Sequence, residues 1–105
     1  MKSGEISAPE LLKKLDSGDV QIIHISSKES FEKKRIKHSI WVPFNQLERL
    51  DFRSLDKSKV QVIYCKNRGC MSAKLIADLL AENGYQSLVY AGGIEEWLDL
   101  GYPLD

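Results

Sequence analysis

The chain has 105 residues, one domain's worth, and its 43% apolar and 29% charged composition is that of an ordinary globular protein. Fifteen basic residues balance fifteen acidic ones, so net charge points to neither a nucleic-acid nor a membrane partner. No apolar run approaches the ~20 residues that span a bilayer, and the opening Met1-Lys2-Ser3-Gly4-Glu5-Ile6 lacks the apolar stretch of a signal peptide, which predicts a cytoplasmic protein.

No repeat, low-complexity tract or linker interrupts the sequence, which reads as a single domain over residues 1–105. Ser7-Ala8-Pro9-Glu10 is a capping-box pattern with proline in the first turn. Leu11, Leu12 and Leu15 continue it as an apolar helical stripe, and Gly18 suits the stop. Val20 to Ile25 is a β-branched, mostly apolar run, as expected of a strand buried on both faces. Phe31 and Ile36 lie in a charged stretch that predicts a short helix, whose Lys33-Lys34-Arg35-Ile36-Lys37-His38 end should be solvated. Ser39 to Val42 is a second strand, closed by Pro43, and Asn45 with Glu48 offers another helix start, with Leu47 and Leu50 facing inward.

Val60 to Tyr64 is a third strand, followed by a polar, irregular segment from Lys66 to Met71. From Ser72, residues Ala73, Ile76, Ala77 and Leu80 recur at helical spacing until Asn83-Gly84. Leu88 to Tyr90 is a further strand, and Gly92-Gly93 turns the chain into a last helix carrying Ile94 and Trp97. Strands alternating with helices predict an α/β fold with a parallel sheet covered on both faces.

In such a sheet, ligands bind beyond the carboxyl ends of the strands. Cys65 sits there, directly after a buried strand, and Cys65-Lys66-Asn67-Arg68-Gly69-Cys70-Met71 leads into a helix N-terminus. Unpaired amides at that end, with the charges of Lys66 and Arg68, favour a thiolate and bind an oxyanion. The Cys65 side chain is expected to face this loop rather than the core. Two cysteines in a reducing compartment read as reactive thiols rather than a structural bridge. Cys70 reads equally as a small apolar residue under the helix start or as a resolving thiol. His24 is expected to be a hydrogen-bonded core or strand-end histidine, and Trp41 and Trp97 core residues. Two cysteines and two histidines without paired spacing predict no metal site.

Val62-Ile63-Tyr64-Cys65, the helix ending Asn83-Gly84-Tyr85, and above all Gly92-Gly93, three residues, Trp97, three residues, Gly101-Tyr102-Pro103 resemble the rhodanese family over nearly the whole chain. The resemblance implies a five-stranded parallel sheet flanked by helices on both faces. It also implies a sulfurtransferase, akin to thiosulfate sulfurtransferase, that carries sulfane sulfur as a persulfide on catalytic Cys65. Residues Lys66, Asn67, Arg68, Gly69, Cys70 and Met71 would form the substrate loop. The partners implied are a small anionic sulfur donor such as thiosulfate and a thiol or protein acceptor, with no cofactor. The sequence departs from the family's usual Asp-x-Arg after the second strand, where His24 and Ser26 stand. It also has Arg68 and Cys70 in place of the usual loop glycine and arginine, and so resembles a subset with a second cysteine five positions on. Two other readings are a non-catalytic interaction or sulfur-sensing module, and an arsenate reductase or phosphatase of the related long-loop type.

Overall fold

A computed structural model describes residues 4–43, 55–66 and 71–105. Five strands, β1 (Gly4–Glu5), β2 (Val20–Ser26), β3 (Ser39–Pro43), β4 (Val60–Tyr64) and β5 (Ser87–Val89), form one sheet in the order β1-β5-β4-β2-β3. Every pairing is parallel. Four helices accompany them among the described residues: α1 (Ala8–Lys14), α2 (Lys28–Lys33), α3 (Ser72–Glu82) and α4 (Gly93–Asp99).

The two central strands explain the layering. Side chains alternate across a strand, and in β2 and β4 both sets contribute apolar residues to a core. Ile22, Val62 and Tyr64 enter one core with Leu11 of α1 and Ile94 and Trp97 of α4. Ile23, Ile25 and Ile63 enter the other, with Ala73, Ile76, Ala77 and Leu80 of α3. Helices therefore cover both faces, as the sequence predicts. Among the described residues, no helix is long and apolar enough to cross a membrane.

Local chemistry sets the element ends. The amide of Glu10 donates to Ser7 Oγ at 3.3 Å, the predicted cap of α1. Gly101 ends α4 at φ +69°, a conformation that costs a residue with Cβ. The Trp97 indole, fully buried, donates to the Pro103 carbonyl at 2.7 Å and folds the chain end back over α4. The spacing of Gly93, Trp97, Gly101 and Pro103 is thus one helix with its start, its anchor and its stop.

Two expectations need correction, and one strand went unread. The charged stretch is helical only over Lys28–Lys33; Ile36 lies beyond it, fully buried, in an antiparallel bridge with Leu104. Trp41 is exposed rather than in the core, because β3 is an edge strand; its indole donates to the Ser26 carbonyl at 2.9 Å. The first strand, β1, has no sequence signal: it is two residues long, polar and exposed. The helix start at Asn45 lies outside the described residues.

Candidate active site

Strand order reverses between β2 and β4, since the chain moves outward to β3 from one and to β5 from the other. At such a switch point the adjoining connections part and leave a crevice beyond the strand ends. A cleft of about 480 Å³ opens there. The end of β2 contributes His24 and Ser26, the residues after β4 contribute Cys65 and Lys66, and α4 contributes Ile94 and Leu98.

Cys65 is almost wholly buried, at 4% exposure. Its side chain packs into the core beneath α3 and also lines the cleft, which corrects the expectation that it faces only the loop. The reason is parity: residue 65 continues the face of Ile63, which α3 covers. Backbone bonds hold the segment in place. The amide of Ile94 donates to the Cys65 carbonyl at 3.1 Å, and that of Glu95 to the Lys66 carbonyl at 3.0 Å. The first turn of α4 therefore anchors the residues leaving β4. Cys65 is in the disulfide-bonded state. The chain's other cysteine is Cys70, which lies outside the described residues, as do Asn67, Arg68 and Gly69.

Met71 is the N-cap of α3, strongly exposed at 76%, and its own side chain makes no capping hydrogen bond. The helix has no acidic residue in its first turn. Its amide end keeps the partial positive charge that suits an anion or thiolate nearby. Lys66 lines the cleft, and so do Lys33 and Lys34, whose run was expected to be merely solvated. Of that run, Arg35 stacks over Phe31 and pairs with Asp105 at 3.6 Å, while His38 meets Asp16 at 3.3 Å.

His24 is buried near the end of β2, as expected, but its Nδ1 has no hydrogen-bond partner. Its ring stacks on Tyr64 with centroids 4.4 Å apart, because the two residues are register partners on β2 and β4. Burial, with the Arg35 guanidinium adding to it, lowers the His24 pKa from 6.5 to about 4, so the imidazole is neutral at physiological pH. Burial pushes the Tyr64 hydroxyl up to about 12. That hydroxyl accepts from the Ile36 amide at 3.0 Å and meets Ser39 Oγ at 2.7 Å, which makes it a structural group. Sequence reasoning placed Cys65, Lys66 and Met71 at this end of the sheet. It missed His24, Ser26, Lys33 and Lys34 as cleft residues. The replacement of Asp-x-Arg by His24 and Ser26 was the available signal. Among the described residues, no group of His, Cys, Asp and Glu side chains could hold a metal.

A family model described as a rhodanese-like domain matches residues 7–100. No curated protein matches the chain. Solved structures similar to it include a rhodanese-related protein from Thermoplasma volcanium, at TM-score 0.83 and 20% identity, covering 97% of each chain. A rhodanese-like domain protein from Staphylococcus aureus aligns at TM-score 0.75 and 26% identity, over 92% of this chain and 91% of that one. A protein of unknown function from Rhodopseudomonas palustris, described as a possible tyrosine phosphatase, aligns at TM-score 0.80 and 21% identity, over 98% and 85%.

Proposed function

Because the chain belongs to the rhodanese-like domain family, we propose that it is a sulfurtransferase that carries sulfane sulfur as a persulfide on Cys65. The observation that carries this reading is the placement of Cys65, at the carboxyl end of β4, lining the switch-point cleft beside Ser72 at the start of α3.

The disulfide-bonded sulfur is itself no nucleophile. A thiol reductant must first attack the bridge, releasing the Cys65 thiolate and leaving an oxidised reductant. That thiolate attacks the outer sulfur of thiosulfate or a related donor. A sulfur–sulfur bond forms to Cys65 as the donor's sulfur–sulfur bond breaks, and sulfite departs with the electron pair. An acceptor thiolate then attacks the outer sulfur of the Cys65 persulfide, takes it, and regenerates the Cys65 thiolate. Positive potential from Lys33, Lys34 and Lys66, with Asn67, Arg68, Gly69, Cys70 and Met71 as the donor-binding segment, favours the anionic donor and the charged transition state. The partners are then a small anionic donor and a thiol or protein acceptor, in a cytoplasmic compartment reducing enough to keep the thiol available.

Intact-mass measurement of the reduced protein after incubation with thiosulfate tests this. The wild type should gain one sulfur atom and lose it to an added thiol, and Cys65→Ser should gain none. Persulfide retained by Cys65→Ser, or no gain by the wild type, overturns the proposal. A phosphatase or arsenate reductase, the class suggested by the Rhodopseudomonas protein's description, would release phosphate or arsenite and gain no sulfur. The sequence opposes that class, since no arginine stands between Arg68 and the start of α3 at Ser72. A sensing or interaction module would bind without turnover.

A further inference from the structure

Two polar atoms in the cleft walls have no part in the sulfur chemistry. His24 Nδ1 and Ser26 Oγ are both shielded from solvent, and neither has a hydrogen-bond partner. A buried polar group without a partner costs about 1–3 kcal/mol. The two residues stand two positions apart in β2, so their side chains share one face of the strand. Both line the cleft that Cys65 lines.

The rest of the wall limits what these atoms could meet. Ile25, Ile94 and Leu98 are apolar, Ser27, Ser30 and Ser72 are neutral, and among the described residues the cationic Lys33, Lys34 and Lys66 are joined by a single acid, Glu95. The cleft's volume, about 480 Å³, falls in the range of roughly 300–1,000 Å³ typical of sites for organic ligands. Thiosulfate, with few heavy atoms and no neutral polar group, would leave most of it unused.

We propose that His24 and Ser26 are specificity-determining residues that bind an uncharged amide group on an organic, carboxylate-bearing thiol or persulfide. This deepens the sulfur-transfer reading, on which it rests for the sulfur but not for the binding. A neutral imidazole has one N–H and one lone pair, and a serine hydroxyl donates once and accepts twice. An amide, with one N–H and one carbonyl, matches that pair. A carboxylate at the same point would find no positive charge on His24 and is drawn instead to the lysines. Both atoms lie within the wall, so contact requires side-chain rotation. A half-turn of the His24 ring about Cβ–Cγ exchanges Nδ1 with a carbon and keeps the ring plane, and hence the stack on Tyr64, unchanged. Ser26 reaches the cleft by rotating about χ1.

The test uses two thioethers that cannot transfer sulfur: N-acetyl-S-methylcysteine and 3-(methylthio)propionate. Both carry a carboxylate, and they differ by the acetamido group. Calorimetry on the reduced full chain should show the amide-bearing probe binding about tenfold more tightly, the worth of one to two net hydrogen bonds. Ser26→Ala and His24→Phe should each shrink that preference while leaving the propionate probe's affinity unchanged, and the His24 ring ¹⁵N signals should move with the amide probe alone. Ser26→Ala removes only a hydroxyl, so the test survives if His24→Phe fails to fold. Equal binding of the two probes, binding of neither, or a preference that persists in Ser26→Ala overturns the inference. A wild type that never forms a persulfide yet keeps the preference refutes sulfur transfer and upholds the amide site.

Discussion

His24 shows how one residue's surroundings become a property of the whole chain. Its imidazole is neutral when folded because burial lowers its pKa to about 4, against 6.5 when unfolded. Above pH 6.5 neither state binds the proton, and the histidine has no effect on stability's pH dependence. Between pH 6.5 and 4 the unfolded chain binds the proton and the folded chain does not, so stability falls as pH falls. The loss reaches roughly 3 kcal/mol by pH 4, at about 1.36 kcal/mol per pKa unit. Urea denaturation of the wild type and His24→Phe across that window should show the wild type losing this increment relative to the variant; parallel curves would mean that His24 titrates normally. Cys65 carries the second residue-scale prediction. Once the protein has been reduced, mild peroxide turns the Cys65 thiolate into a sulfenate, which the Cys70 thiol can attack to re-form a Cys65–Cys70 disulfide with loss of water. Peptide mapping should recover that bridge. Cys65 sulfinate accumulating beside reduced Cys70 would assign Cys70 to packing alone.

At the level of elements, α4 anchors one wall of the cleft. Its first-turn amides hold the carbonyls of Cys65 and Lys66, and its inner face seats Trp97 in the core. Its end depends on Gly101. A Cβ there would meet nothing within 4 Å, so any penalty for Gly101→Ala comes from the left-handed backbone and not from a clash. The cost should be about 1 kcal/mol, or a fall in Tm of some 4–8 °C for a chain of this size. An unchanged Tm would show that the helix end relaxes to another conformation.

At the scale of the molecule, the Tyr64 hydroxyl joins segments that sequence keeps far apart. From β4 it satisfies the amide of fully buried Ile36 and meets Ser39 at the head of β3. Tyr64→Phe keeps the ring stacked on His24 but leaves that amide without its acceptor, and should cost about 1–3 kcal/mol by chemical denaturation. A change below 0.5 kcal/mol, the ordinary scatter of ~0.5 kcal/mol for sites without such features, would show that another acceptor replaces it. The sequence alone determined the alternation of strands and helices, because β2, β4 and α3 each bury a periodic apolar set that only one kind of element can align. It also determined the end of the sheet at which Cys65 stands, since a residue directly after a buried strand has no other place. It left β1 unread, because two polar residues carry no period, and their pairing with β5 exists only once the rest of the sheet offers an edge. The same holds for the cleft. His24, Lys33, Cys65 and Leu98 share no local pattern, and each has an ordinary structural reading when taken singly. The tertiary structure alone brought them together: strand order reverses between β2 and β4, and the crevice at that reversal gathers side chains from four separate stretches of chain.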